Sequence, residues 1–425
     1  MDDTLEGKLN VIKTKIPKTC VCPTCGKRQP FKRGGEYITK RKDLDLDHPI
    51  MVIIQRVRAK CLNPSCKRKR FVLPIQGVEK YQRCISRVKK ETINKNILEN
   101  VTYRRISRAL SRSFNVTGSR SSIDRWKQRE ADKYSFKDII KEMRFSGALS
   151  LDEYKPKRSN HYDLIAGDAK RVRILYMESA PFSPRHAGSP ARGDIKGFCY
   201  RLKQFGITPY TIIVDLCKAF PKQIRQVWPG VLIQFDHYHV QQIIHRYLRQ
   251  LLFGFIRRLR KTSPLAAEEL WERRWRIVKN MDRWNIKDHE IIPQLMEVYA
   301  DTPVEQIFIL KERIHDIFNV STSKKEAYEK RDNLCNETWW RSSWHLTQVV
   351  RFLMRPDFEN MVMYLDKHEV PRCGNIETLI RSWRQMEKVR YGFASEKGRQ
   401  NHLKLYQVKH YLNGKVGQNM GQPSN

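Results

Sequence analysis

Two sets of residues in this chain have types and spacings that can do chemistry. The first is four cysteines. Cys22-Pro-Thr-Cys25-Gly26 sets two sulfurs around one tight turn, and Cys61-Leu-Asn-Pro-Ser-Cys66 supplies a second pair 36 residues after Cys25. Four thiolates from two such turns make a closed tetrahedral site for one structural Zn2+ ion, which would staple a segment too small to hold itself. Cys20, two residues before Cys22, is an alternative ligand, whereas Cys84, Cys199, Cys217, Cys335 and Cys373 have no paired spacing and read as ordinary thiols. The second set is two aspartates. Phe145 to Asp152 (FSGALSLD) reads as a strand ending in Asp152, and Tyr210 to Asp215 (YTIIVD) as a buried strand ending in Asp215. Taken singly, each is an ordinary strand-end residue satisfied by local amides. Side by side, the two carboxylates would repel unless a divalent cation neutralised them.

The elements around them decide whether they meet. His161 to Gly167 and Val172 to Glu178 read as two further strands, Asp194 to Phe205 and Ala219 to Val227 as helices, Val231 to Phe235 as a last strand, and a helix begins near His237. Strand, strand, strand, helix, strand, helix, strand, helix is the element order of an RNase H-like core, in which the first and fourth strands are neighbours. Asp236 is placed to cap the helix that follows it, and His239 to support the site or carry a proton.

Upstream, Met51 to Ala59 and Phe71 to Ile75 are the strands of a zinc ribbon. Gly77 to Tyr134 is helical and basic, with apolar stripes through Ile85, Val88, Ile93 and Ile97 and through Ile106, Leu110 and Phe114. A break at Asn115 to Gly118 precedes a helix opened by Ser119. That is a helix-turn-helix arrangement, in which Arg120, Arg125 and Lys127 would face DNA; a solvated charged face is the plainer reading. Downstream, His237 to Arg372 reads as a helical insertion whose tryptophans (Trp271, Trp275, Trp284, Trp339, Trp340, Trp344) are mostly core. The fold class expected is therefore α+β and multidomain: zinc ribbon 1–76, helix-turn-helix region 77–140, RNase H-like α/β catalytic core 141–240, all-helical insertion 241–372, the returning core helix 373–411 and a flexible tail 412–425.

Bulk properties agree with a polyanion partner. The 425 residues allow two or three domains, and 82 Lys and Arg against 45 Asp and Glu give a net charge of +37. The charge is densest at the start, with 36 Lys and Arg against 15 Asp and Glu in the first 150 residues. No apolar run approaches the roughly 18 to 20 residues of a membrane span and the first residues are not signal-like, so an intracellular protein is expected. A phosphate-cradling Gly-Lys-Ser/Thr loop is missing, so no nucleotide cofactor is expected.

With these residues in place, the chain resembles the DDE transposases of bacterial and archaeal insertion sequences, specifically the ISL-three family. The resemblance rests on the Cys22/Cys25/Cys61/Cys66 ribbon, the helix-turn-helix-like stretch, Leu151-Asp152-Glu153, Val214-Asp215, Phe235-Asp236-His237-Tyr238-His239-Val240, and Gly374-Asn375-Ile376-Glu377 followed fourteen residues on by Tyr391-Gly392-Phe393. Thr378, Ile380 and the pair Glu387-Lys388 depart from the family pattern. The resemblance implies Asp152, Asp215 and Glu377 as ligands of two Mg2+ (or Mn2+) ions, Asp152 bridging both, in phosphoryl transfer at the ends of the element. It implies double-stranded DNA as partner (terminal inverted repeats and target), a homodimer or larger synaptic assembly, and a cytoplasmic, nucleoid-associated place of action. Two other readings share these features: a catalytically inactive, repressor-like DNA-binding protein derived from a transposase, and a structure-specific nuclease with the same core.

Overall fold

The computed structural model describes residues 10–13, 16–44, 49–67, 69–75, 78, 86–114, 118–154, 161–181, 192–217, 219–367, 369–390, 393 and 395–412. Ile85, Cys84, the side chain of Phe114, Tyr391-Gly392 and the tail beyond Leu412 lie outside them. Two compact units emerge: a terminal unit, Met1–Ile139 with Trp383–Asn425, and a central unit, Ile140–Ser382.

The terminal unit opens with strands β1 (Asn10–Lys13), β2 (Cys20–Val21), β3 (Arg28–Gln29), β4 (Phe31–Leu44), β5 (Pro49–Cys61) and β6 (Arg70–Val72). β5 is the spine. It pairs antiparallel with β4 along its length, and its other edge takes β1 in parallel at Val52 to Gln55 and β6 antiparallel at Arg58 to Lys60. β2 and β3 form a separate short hairpin. Val52 and Ile54 of β5 bury against helices α1 (Ser86–Ile97), α2 (Tyr103–Phe114) and α3 (Arg120–Ala131) through Val88, Ile106, Leu110 and Ile123. Ser119 caps α3, its hydroxyl accepting the Ser122 amide at 3.1 Å.

The central unit begins within α4 (Phe136–Met143) and builds a five-stranded sheet from β7 (Ala148–Tyr154), β8 (His161–Asp168), β9 (Arg173–Pro181), β10 (Thr211–Val214) and β11 (Leu232–Phe235), in the order β11-β10-β7-β8-β9. The meander β7-β8-β9 is antiparallel, while β10 lies parallel to both β7 and β11. Its first and fourth strands are thus neighbours, as the element order requires. α5 (Arg192–Gln204) and α6 (Ala219–Val227) make the crossovers, which parallel pairing demands. β10 reads Thr-Ile-Ile-Val and is buried on both faces, the signature of an inner parallel strand.

After β11 come the helices α7 (His237–Thr262), α8 (Pro264–Ile277), α9 (Ile286–Val298), α10 (Pro303–His315), α11 (Lys324–Asn336), α12 (Trp344–Leu353) and α13 (Met363–Asp366), with no strand among the described residues. The tryptophans of this region do not form its core. Only Trp340 of the six is buried, whereas Trp275 and Trp344 are 54% and 62% exposed. Leu, Ile, Val and Phe fill the interior instead, and the Arg274 guanidinium lies over Trp271 at 3.9 Å and Trp275 at 5.2 Å, which lets wide rings sit at the surface with their faces covered by a cation.

α14 (Ile376–Arg390), α15 (Glu396–Gln407) and a final helical turn, Val408–Leu412, end the described chain. Residues 373–411 were expected to return wholly to the core, but only the start of α14 belongs to the central unit. Leu405 of α15 buries with Ile93, Ile97 and Ala131, and Trp383 stacks with Phe393 at 5.9 Å and meets His402 edge-on. Aromatic and aliphatic burial therefore draws the last helix to α1 and α3.

Candidate metal and DNA site

The register of the central sheet sets the site. Leu151, Val214 and Phe235 pair directly across β7, β10 and β11, so the next residues, Asp152, Asp215 and Asp236, form a row of three aspartates where the parallel strands end. That end of an open α/β sheet is where ligands bind. Environment separates the three.

Asp236 is consumed by structure. One carboxylate oxygen accepts the Tyr238 amide at 2.9 Å and caps α7; the other accepts the Gly374 amide at 2.9 Å, 138 residues on. Both oxygens are thus occupied. Asp152 has one amide, that of Glu153 at 2.7 Å, and is 7% exposed. Burial first, with the Asp215 charge adding, pushes its carboxyl up to about 7, against the pull of the Glu153 amide and of His239. Asp215 is one-third exposed, accepts the Leu216 amide, and faces His239 Nδ1 at 3.5 Å from the first turn of α7. Two carboxylates and an imidazole thus share one end of the sheet.

Glu377 arrives on the first turn of α14. Ser150 and Gly167 are register partners, and strand alternation puts Ser150 and Asp152 on one face of β7. On that face Gly374 packs against Ser150 and Asp236, while Ile376 and Leu379 pack on Gly167. A Cβ at Gly374 would overlap the Ser150 hydroxyl, so only glycine lets the chain pass. Arg372 adds a second tie, its guanidinium meeting His237 Nε2 and its carbonyl accepting the His237 amide at 3.2 Å. Sequence reasoning assigned no role to Gly374 or Arg372. The signal in the sequence is the Gly374-Asn375 pair ahead of a helix, and the structure puts Asn375 at φ +54° there. The three acids are not drawn tightly together: among the described residues, only the four cysteines gather three or more ligand atoms within 4.8 Å of one another.

In the terminal unit, Cys22 Sγ lies 3.7 Å from Cys66 Sγ and Cys25 Sγ 3.8 Å from Cys61 Sγ. A tetrahedron with Zn–S bonds of about 2.3 Å has edges of about 3.8 Å, so the sulfurs already stand at the spacing one zinc ion would impose. Gly26 at φ +70° closes the first knuckle by donating to the Cys22 carbonyl at 2.9 Å. Backbone amides of Cys25 and Thr24 bring the Cys22 thiol down to about 6, and Gln29 Nε2 donates to Cys61 Sγ at 2.7 Å. Cys20 stands outside this group.

On α3, Arg120 and Arg125 are exposed, as a DNA-facing surface requires. Lys127 is not. It is 4% exposed, with Nζ 3.0 Å from His402 Nδ1 and 5.6 and 5.8 Å from the Tyr103 and Phe393 ring centres. The helical period turns it inward beside Ile123 and Ala131, so its cation serves packing between α3 and the C-terminal segment rather than a groove of DNA.

No helix among the described residues is long and apolar enough to cross a membrane. No curated protein matches the chain. Residues 207–398, which include Asp215, Asp236, His239 and Glu377, match the family model of the ISL-three DDE transposases, described as a transposase.

Proposed function

We propose that the protein is an active transposase that cleaves the ends of an insertion sequence and joins them to target DNA, with Asp152, Asp215 and Glu377 as its metal-holding acids. The observation that carries this reading is the pairing of Leu151 with Val214, which makes Asp152 and Asp215 neighbours beside His239 at the carboxyl end of the sheet. The strand order β11-β10-β7-β8-β9 supports an RNase H-like core, 141–240 with the start of α14, interrupted by the helical segment 241–372.

The Asp152 and Asp215 pair fits a divalent cation. A buried carboxyl displaced upward by burial and by a second acid is one whose ionisation a cation would favour. Mg2+ or Mn2+ bound there, as two ions, supplies charge neutralisation for the nucleophile and the leaving oxygen of a phosphodiester. The chain's own groups do the positioning. Asp152 must release its proton; the Leu216 amide and His239 orient Asp215; His239 offers a nearby place for a proton. Asp236 fixes the start of α7 and the approach to Glu377 at once.

The four cysteines hold one Zn2+ and make residues 1–76 a zinc ribbon; their sulfur spacing supports this. The region 77–140 supplies a helix-turn-helix surface through Arg120 and Arg125, whose phosphate contacts give most of the affinity for the terminal repeats. Synapsis of two ends implies a dimer or larger assembly.

The test is Mg2+-dependent nicking of end-containing DNA. Asp152→Ala and Asp215→Ala abolish it while gel-shift affinity stays within about threefold of the parent. Cleavage that survives either substitution removes the assignment. Binding by the parent chain without any cleavage leaves the repressor-like reading, and cleavage of branched DNA without joining leaves the nuclease.

A further inference from the structure

The terminal unit carries a basic feature separate from the exposed N-terminal turn of α3. Between α1, the end of α3 and the turn after α15 lies a groove of about 490 Å3. Six cations line it: Arg87, Lys89 and Lys90 from α1, Arg129 from the end of α3, Lys133 from the turn after it, and Lys409 from the C-terminal turn. Among the described residues Glu130 is the one acid lining it, and it pairs with Lys133 at 2.6 Å. The crowding is felt locally: burial first, then the Lys90 charge, lowers Lys409 below the usual lysine value. So many like charges around one concavity oppose the compact state until a polyanion neutralises them.

Three further observations narrow the partner. Arg125 and Arg129 stand one helical turn apart on α3 and Lys133 follows in the turn just past its end, so cations continue from the exposed part of α3 into the groove. The half-buried Trp126 and Tyr134 line the same groove beside Ile93, setting aromatic surface among the cations. The volume lies in the range of pockets that hold a ligand of nucleotide size. Cations tracking a backbone with aromatic rings interleaved are how proteins hold an unpaired strand.

We propose that this groove binds an unpaired stretch of DNA strand, with phosphates on the row from Arg125 to Lys133 and on Lys90, and a base against Tyr134 and Trp126. It rests on the reading of the chain as a DNA-acting enzyme, and adds a single-strand site to it.

The experiment uses the full chain without divalent metal and measures fluorescence anisotropy of a labelled short oligothymidylate and of a duplex of equal length. The double variant Lys90→Glu/Lys133→Glu is expected to bind the single strand roughly tenfold or more weakly, with a salt slope shallower by roughly 0.7 for each phosphate that is no longer neutralised. Its affinity for the duplex stays within about threefold. Tyr134→Leu is expected to lower single-strand affinity roughly tenfold with the salt slope unchanged. Both lysines are exposed, and should the double charge reversal fail to fold, Lys90→Gln/Lys133→Gln gives the same reading. Unchanged single-strand affinity, or equal weakening for both DNAs, overturns the proposal while leaving the DNA-acting reading intact. A parent chain that binds neither DNA overturns both.

Discussion

Asp152, Asp215 and Asp236 are chemically identical and stand in one row, yet they do different work because different neighbours reach them. Asp236 ties β11, α7 and the Gly374 turn together through two accepted amide bonds. Asp236→Ala is expected to lower the stability of the central unit by about 1 to 3 kcal/mol, since it leaves two amides unpaired. Asp236→Asn, which keeps an acceptor, is expected to cost less; urea titration of the two variants checks the order. His237 is the second test at this scale. Burial, with the Arg372 charge behind it, holds the imidazole down to about 3, far under its ordinary value. The folded chain therefore stays neutral there while the unfolded chain gains a proton below about pH 6.5. The contribution is full above that pH and is lost as pH falls toward 3; from about pH 7 to about pH 5 the loss is roughly 2 kcal/mol. His237→Gln, which does not titrate, is expected to show a flatter decline in urea midpoint over the same interval.

At the scale of elements, the decisive contact is the one that seats α14. Small residues, Ser150 and Gly167 on the sheet and Gly374 on the arriving chain, let backbone approach backbone where Glu377 enters. Gly374→Ala is expected to push the start of α14 away from β7, at a cost of about 1 to 3 kcal/mol and with a fall in cleavage rate larger than the fall in DNA affinity. Adding Ser150→Gly, which clears the space, is expected to restore part of both; a double-mutant cycle on melting temperature and nicking rate measures it. No restoration would mean that the contact is not what seats the helix. The four-cysteine cluster proposed to hold zinc is a second element-scale case. Gln29→Ala, which removes the donor to Cys61 Sγ, is expected to weaken zinc binding by about 10- to 100-fold, read by chelator competition.

For the whole molecule, the net charge of +37 sets the behaviour with DNA. Affinity for duplex DNA is expected to fall at least about 10³-fold between 50 and 200 mM salt, as counterions are released from several phosphates. A log–log slope near zero would mean that the charge is not directed at the backbone. Zinc removal is expected to weaken end binding while leaving the far-ultraviolet signal of the central unit in place, because the four cysteines belong wholly to the terminal unit.

The sequence by itself determined the repeating parts. Alternation and apolar runs marked β7 to β11, α5 and α6 close to their observed bounds, because burial of one face or both writes a period into the residues. Paired cysteine turns and Asp-terminated strands stood out as candidates because each turn or strand end is a local pattern, while their meeting across the ribbon strands and the central sheet is not. β4 carried no such regular mark: its few apolar residues, Phe31, Tyr37, Ile38 and Leu44, do not alternate with a single period and Gly34-Gly35 interrupts it, so its ladder to β5 defines the strand more than its own pattern does. Lys127 and the surface tryptophans went the other way, since a basic or aromatic residue on a helix acquires its meaning from what packs over it. Only tertiary structure decided that Asp236 is bound on both oxygens, that Gly374 lies against Ser150, and that α15 joins α1 and α3, for each is a meeting of segments more than a hundred residues apart that leaves no periodic trace in either.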